Sequence, residues 1–325
     1  MRILMISLDR KILDPNSDAA RRMVEYGRTD ELFIIIPNRE MEAFDLSSTV
    51  HVQSTGGNKL LQFCRLRKIG NKLIKNNNIQ EITTQDPFFT GLVGWCLKKK
   101  FNLKLEVQMH GDFFNSYYQK QWIKLKIAKF VLKRADVIRV VGERVKHSLL
   151  DLGIRESKII LKSVPIDVEF IKNYQPKIDL HQKYPGYEKI FLVLGRLEQV
   201  KNIKWLVELF KEIIKQRNNY LLLIVGGGAE EPNIKYQISN NKLKKNVILE
   251  NWTDNPFDYL KTADCLLFPS LNEGYGLVAM EAFAAGTPVI MTDVGVANYE
   301  LKPGPKVIIA PAGDKKEFLK AILEI

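Results

Sequence analysis

Short apolar runs alternate with longer amphipathic segments along this chain, and the alternation breaks off once near the middle before restarting. Short apolar runs bounded by turn residues read as buried strands, and apolar residues recurring at three- and four-residue spacing read as helices. In the first half the strand candidates lie at 2–7, 32–37, 81–85, 104–110, 137–142 and 159–165, with helical patterns such as SDAARRMVEYGR between them. In the second half they lie at 190–197, 220–228, 246–252, 263–270, 287–293 and 306–310, with helices over 202–216, near 256–262 and near 277–285. Strands joined through helices pair in parallel, because a parallel partner is reached only by a crossover. The stretch 166–189 holds Pro176, Pro185 and Gly186 without sustained periodicity, as a connector does. The expected fold is α/β, two Rossmann-like domains with parallel sheets facing a central cleft: 1–173, a linker at 174–189, and 190–325.

Composition agrees with this reading. A chain of 325 residues, 46% apolar and 26% charged, has material for two cores. No run of about 18 uncharged apolar residues is present, which argues against a spanning helix. The opening MRILMISL meets Asp9, Arg10 and Lys11 at once and lacks a basic leader and a small-residue cleavage site, so it reads as a first strand. Cys64, Cys96 and Cys265 are far apart and without metal spacing, which predicts packing residues in a reducing, cytoplasmic compartment. Charge is uneven. Residues 1–173 carry 30 Lys and Arg against 19 Asp and Glu, whereas residues 174–325 carry 19 against 18. An excess confined to one half suggests that this half meets an anionic surface, nucleic acid or lipid.

In open parallel sheets ligands sit beyond the carboxyl ends of the strands, so function is sought in the loops that follow them. The segment FPSLNEGYGLVAMEAFAAGTPVI (268–290) is the most informative. A strand ends at Pro269 and Ser270, Glu273-Gly274-Tyr275-Gly276 forms a flexible loop, and Leu277–Ala285 has helical composition with Gly286 as its terminator. A glycine-bearing loop entering a helix presents free N–H groups and the positive dipole end, which suits a diphosphate. Glu273 and Glu281 flank that cradle as hydrogen-bond acceptors for hydroxyls on either side of it.

This segment resembles the E-x7-E signature of retaining GT-B-fold glycosyltransferases, family 4, also called group 1. The likeness extends over nearly the whole chain and is most specific from 190 to 297. It implies that Glu281 binds the ribose hydroxyls of the donor nucleotide and that Glu273 contacts the donor sugar. It also implies that N–H groups of Gly274, Tyr275, Gly276 and Leu277 meet sugar and phosphate. Gly195-Arg196-Leu197 with Lys201-Asn202 is similar to the family element whose Arg and Lys neutralise the diphosphate. The leaving nucleoside diphosphate gains negative charge, which fixed cations stabilise. Val225-Gly226-Gly227-Gly228 resembles the family's glycine turn, and Asn251-Trp252-Thr253 its nucleobase loop. His110-Gly111-Asp112 resembles the family's H-G-D element, which implies a histidine near the reacting sugar carbon. Where family members continue through further helices, the last crossing back onto the first domain, this chain stops at GDKKEFLKAILEI. The resemblance therefore implies a short member or a truncated chain.

The first half says less about its ligand. The loop after the first strand lacks G-x-G-x-x-G, so a nicotinamide or flavin fingerprint is absent. Ser17 and Asp18 are candidate helix caps as well as acceptor contacts. Asp86 follows another strand, and Asp112 either caps a turn or faces the acceptor. From Tyr117 the chain runs YYQKQWIKLKIAKFVLKRA, where Lys120, Lys124, Lys126, Lys129, Lys133 and Arg134 meet no acid. Trp122, Ile123, Ile127, Phe130 and Val131 there make an apolar stripe at helical spacing. A basic amphipathic helix of this kind reads as a contact to anionic membrane, or as a helix packed into its own domain.

These features predict an enzyme: a retaining, metal-independent hexosyltransferase moving sugar from a UDP- or GDP-linked donor to a hydroxyl of a glycan or lipid-linked acceptor. Its setting is cell-surface polysaccharide or glycolipid synthesis, peripheral on the cytoplasmic face of the membrane. The expected catalytic residues are His110, Glu273, Arg196 and Lys201, with Glu281, Gly226 and Trp252 in donor binding. No metal motif or cofactor is expected. The alternative from another class is a basic nucleic-acid-binding protein without activity, for which no recognised motif is present. A phosphorylase of similar fold lacks its cofactor-lysine context.

Overall fold

The computed structural model describes residues 1–118 and 120–325, with the side chains of Leu60 and Ser116 left outside the description. The chain divides into two compact units, one of Met1–Val141 with Val145–Lys162 and one of Gly142–Arg144 with Ser163–Ile325. The boundary at Lys162 and Ser163 precedes the proline-bearing stretch 174–189, which belongs to the second unit.

The first unit runs β1 (Arg2–Ile6), α1 (Asp18–Tyr26), β2 (Glu31–Ile36), β3 (Ala43–Ser47), β4 (Val50–Ser54) and α2 (Lys59–Asn77). It continues through β5 (Glu81–Thr84), α3 (Phe89–Phe101), β6 (Lys104–Met109), α4 (Trp122–Arg134), β7 (Val137–Val140), α5 (Glu143–Asp151) and β8 (Ile159–Leu161). The strands lie in the order β3-β4-β2-β1-β5-β6-β7-β8, parallel except for β3 against β4. That antiparallel hairpin is not anticipated by the strand–helix rhythm. Phe44 and Leu46 alternate with exposed or half-exposed residues along β3, so the run is too short and too polar to stand out. Leu4, Ile6, Ile82, Leu105, Val107 and Ile138 face one core. Met5, Leu32, Ile34, Ile36 and Val52 face a second, smaller core under α1. Side chains alternate faces along a strand, so both sheet faces of β1 and β2 are apolar where helices cover them.

The second unit begins with α6 (Val168–Asn173) and α7 (Leu180–Lys183) and then alternates regularly. Its elements are β9 (Lys189–Leu194), α8 (Ile203–Ile213), β10 (Tyr220–Val225), α9 (Glu231–Asn240), β11 (Val247–Glu250) and α10 (Pro256–Leu260). β12 (Cys265–Phe268), α11 (Leu277–Ala284), β13 (Val289–Thr292), β14 (Val307–Ala310) and α12 (Lys315–Leu323) follow. The order is β11-β10-β9-β12-β13-β14, all parallel. The order in which successive strands are added therefore reverses between β9 and β12, the switch point where such sheets hold their ligands. α8 shows why the sheet is covered: Ile203, Leu206, Val207, Phe210 and Ile213 recur on one face and pack with Phe191, Leu222 and Phe318. Burying each such side chain contributes roughly 1.5–3 kcal/mol.

Segment 174–184 carries no long helix, but it is strapped to its own unit. Asp258, 3% exposed, accepts from the Tyr174 hydroxyl at 3.0 Å and from Lys177 N at 2.6 Å. Glu250 accepts from Lys183 Nζ at 2.6 Å and from the hydroxyls of Tyr184 and Tyr259. Those partners hold the Glu250 carboxyl below its ordinary pKa despite its partial burial.

Candidate donor site

The C-terminal edge of the second sheet is built by backbone loops in unusually close contact. Gly226 follows β10 with φ +156°, and a Cβ there would stand 1.9 Å from the carbonyl oxygen of Gly195. Gly228 similarly abuts Leu197, and Leu197 N donates to Gly227 O at 2.9 Å. The glycine turn expected to touch donor is thus a seat for the loop Gly195–Leu197, and only glycine fits it. A second glycine contact closes the other side: Gly295, with φ +56°, would place a Cβ 2.2 Å from Tyr275 O. Val296 N donates to that same carbonyl at 2.7 Å. Tyr275 is 9% exposed and anchors the loop, and burial raises its hydroxyl pKa.

Within this frame Lys201 and Glu273, 72 residues apart, form an ion pair at 2.6 Å. Their side chains are only 21% and 13% exposed. Leu271 N donates to Val200 O at 2.8 Å and holds the two loops in register. The Lys201 ammonium also lies 5.3 Å over the Phe268 ring. Removing one member of so enclosed a pair costs about 3–5 kcal/mol, because the other charge is left without compensation. Arg196, by contrast, is 68% exposed and pairs at 2.7 Å with Glu198, its neighbour in sequence.

Gly276 adopts φ +97° and caps α11, its carbonyl accepting from Ala279 N at 3.0 Å. Met280 N also donates to that carbonyl, so the N–H groups of Leu277 and Val278 are the first-turn donors without a backbone acceptor among the described residues, at the positive dipole end. Glu281 is the fifth residue of α11, half-buried, and its carboxylate has no hydrogen-bond partner among the described residues. Burial alone raises its carboxyl pKa. Trp252, in the loop after β11, is 59% exposed. Ser270, two residues after β12, is 1% exposed, and its hydroxyl is without a partner among the described residues. Nothing in the sequence marks it beyond its place after a strand.

The expected residues of the first unit stand at the corresponding strand ends. His110 follows β6. Its side chain is open by surface area, yet surrounding protein and the charge of Arg139 lower its pKa, leaving a neutral imidazole at neutral pH. Asp86 is 7% exposed and caps α3, accepting from Phe88 N at 2.6 Å and from the Thr90 hydroxyl at 2.7 Å. Asp112 accepts from Phe114 N at 3.1 Å. Ser17 caps α1 through Ala20 N at 3.1 Å, and Asp18 pairs with Arg21 on the surface. The stripe expected on α4 is divided. Ile127, Phe130 and Val131 pack into the first core, whereas Trp122 and Ile123 are 58% and 57% exposed. Lys120, Lys124, Lys126, Lys129 and Lys133 are all exposed.

Residues 176–325 match the family model of glycosyl transferases group 1. This part of the chain is a group 1 glycosyl transferase domain. Its donor-edge features are those of the resemblance: the E-x7-E pair, the glycine seat and Lys201. An uncharacterized glycosyltransferase of Methanocaldococcus jannaschii is 29% identical over 226 residues, covering 68% of this chain and 54% of that protein. The UDP-Gal:alpha-D-GlcNAc-diphosphoundecaprenol alpha-1,3-galactosyltransferase of Escherichia coli is 26% identical over 269 residues, 78% of this chain and 68% of its own length. The first of these matches therefore spans little more than half of the relative. The Anabaena protein HepE in complex with UDP superposes with a TM-score of 0.74 at 16% identity, covering 100% of this chain and 89% of that one. The fold of two Rossmann-like units, GT-B, is thus shared along the whole chain. A nucleic-acid binder without activity is not favoured by these matches.

Proposed function

We propose that the protein is a retaining glycosyltransferase, moving a sugar from a UDP- or GDP-linked donor to a hydroxyl of a glycan or lipid-linked acceptor. Cell-surface polysaccharide or glycolipid synthesis at the cytoplasmic face of the membrane is its setting. The observation that carries this reading is the enclosed Lys201–Glu273 pair beside the glycine-entered α11, with the unpartnered Glu281 on that helix. An anion fits the helix N-terminus, and hydroxyl-bearing groups fit the two carboxylates.

In this reading the ribose hydroxyls donate to Glu281 and thereby satisfy a carboxylate that burial otherwise disfavours. The diphosphate lies against the first turn of α11. Lys201 has three N–H donors, one of them on Glu273, and the others are available to a phosphate oxygen. Arg196, exposed and free to turn away from Glu198, supplies a second cation. As the bond between the sugar's anomeric carbon and the phosphate oxygen breaks, charge grows on the diphosphate, and these cations stabilise it without need of a metal. The acceptor oxygen bonds to the same face of that carbon, and its proton passes to the departing phosphate. Glu273 holds a sugar hydroxyl. The jannaschii and Escherichia coli relatives support the reaction class, and the lipid diphosphate named for the latter supports the acceptor class.

Thermal stabilisation by UDP, GDP and ADP tests the reading directly. One nucleotide is expected to raise the melting temperature, and Glu281→Ala is expected to abolish the rise. Indifference to all three nucleotides, together with stabilisation by DNA, overturns it.

A further inference from the structure

The loop that follows β13 is fastened by an arginine 149 residues earlier in the chain. Gly142–Arg144, where α5 begins, belong to the second unit. There the Arg144 guanidinium, its side chain 19% exposed, donates from Nε to Gly295 O at 2.9 Å and from Nη2 to Ala297 O at 2.8 Å. Nη2 also pairs with Asp293 Oδ1, which accepts from Asn298 Nδ2 at 2.9 Å as well. The guanidinium lies 5.0 Å over the Tyr299 ring, and beside it Glu300 Oε1 accepts from Glu143 N at 3.0 Å. Loop 293–300 is thus held along its length from one short segment.

That loop backs the one carrying Glu273. Val296 N donates to Tyr275 O, and a Cβ on Gly295 would stand 3.0 Å from Glu273 Cβ as well as against the Tyr275 carbonyl. The Tyr275 ring is confined too, since a Cβ on Gly142 would stand 3.1 Å from it. Glu273 and Tyr275 lie in neither helix nor strand, so their positions depend on what backs them. A guanidinium holds several acceptors at once in a fixed plane, which a flexible ammonium does not. Glu281, by contrast, is placed by α11 itself.

We infer that Arg144 is a positioning residue for sugar transfer. It touches no substrate and acts through loop 293–298 on Glu273 and Tyr275. The inference rests on the glycosyltransferase reading and deepens it, by separating a sugar-side loop that Arg144 holds from a ribose-side helix that it does not. Without the guanidinium, loop 293–298 relaxes and Glu273 moves with it. A misplacement of about 1 Å in a positioned group lowers a rate by as much as 10²-fold. The nucleotide, held by Glu281 and the first turn of α11, binds as before.

Release of UDP or GDP from UDP-glucose, UDP-galactose and GDP-mannose, read as kcat and KM beside calorimetry of UDP and GDP, tests the proposal. Arg144→Ala is expected to lower kcat by about 10- to 100-fold, with nucleotide affinity within about twofold of wild type. Arg144→Lys, which keeps the charge and loses the planar fork, is expected to fall between the two. Because Arg144 acts through Glu273, adding Arg144→Ala to Glu273→Gln is expected to cost little further rate. Asp293→Asn alters a carboxylate that is 44% exposed, so the fold survives, and kcat should fall in the same direction by less. Amide exchange is the independent readout. The Val296 amide, which donates to Tyr275 O, should exchange about tenfold faster in Arg144→Ala, while the Ala285 amide at the end of α11 is unchanged. Unchanged kcat, additive losses in the double variant, an equal loss of nucleotide affinity or unchanged Val296 exchange overturns the proposal. A wild-type protein that turns over none of these donors leaves the decision to Val296 exchange. One that also binds neither UDP nor GDP defeats the glycosyltransferase reading instead.

Discussion

The two units carry sheets of the same kind but finish their ligand edges differently. On the second unit, glycines at positive φ let loops touch backbone to backbone, and the space left between them holds fixed charge. Lys201 and Glu273 are enclosed, and Glu281 waits half-buried without a partner. On the first unit the strand ends are finished with capped helices and with rings that pack onto the core, and the lysines of α4 are exposed. A diphosphate and hydroxyls demand oriented donors and acceptors at set distances, which only rigid loops supply. The difference is that the second edge encloses its charge and the first leaves its charge exposed.

That contrast can be broken by substitution, starting where the effect is largest. Glu273→Gln is expected to lower the rate of transfer by about 10²–10³, measured as kcat, while nucleotide stabilisation stays close to wild type. Equal loss of nucleotide binding would give Glu273 a role other than sugar contact. Gly226→Ala forces a methyl into the Gly195 carbonyl at unfavourable φ, and a loss of about 3 kcal/mol or more is expected in urea unfolding. A mild effect would mean that the second edge is as adaptable as the first.

Glu281→Gln sharpens the comparison. Charge-assisted hydrogen bonds to ribose are worth about 1.5–3 kcal/mol, so nucleotide affinity should fall by roughly 10- to 100-fold by calorimetry. The free protein, relieved of a partly buried carboxylate, should be no less stable. The pH dependence follows from the raised carboxyl pKa. Burial disfavours the ionised form, so this group's contribution to folding is fully present below the ordinary carboxyl range and is lost as pH rises through the raised value. Affinity runs the opposite way, because ribose donates to the ionised form: it should weaken as pH falls through that same value, and Glu281→Gln should flatten the profile. His110 offers a smaller effect in the first unit. Its lowered pKa means stability present above the ordinary histidine range and lost as pH falls through the lowered value, a slope that His110→Gln should remove. Trp122→Ser should change stability least, by less than about 0.5 kcal/mol, since the ring is mostly in solvent.

Much of the second unit is legible in its residues. β10 and α8 are regular enough for periodicity to place them within a few residues, and the glycine-entered helix announces itself by composition. The α4 stripe and the β3–β4 hairpin show where such reading stops. Helical spacing shows that Ile127, Phe130 and Trp122 share a face, but not which of them a neighbouring helix covers. The glycine turn at Gly226 is visible as a turn, while the Gly195 carbonyl that makes glycine obligatory lies 31 residues away.

Sequence alone determines the α/β alternation, the break between two sheets and the chemical types at the strand ends, because these rest on short-range periodicity and on local turn and cap preferences. Only the tertiary structure decides that Lys201 meets Glu273, that the Glu281 carboxylate has no hydrogen-bond partner among the described residues, and that Phe88 and Phe113, from the segments after β5 and β6, touch. Those facts depend on which strand ends the sheet order brings side by side, and pairing over tens of residues leaves no local trace.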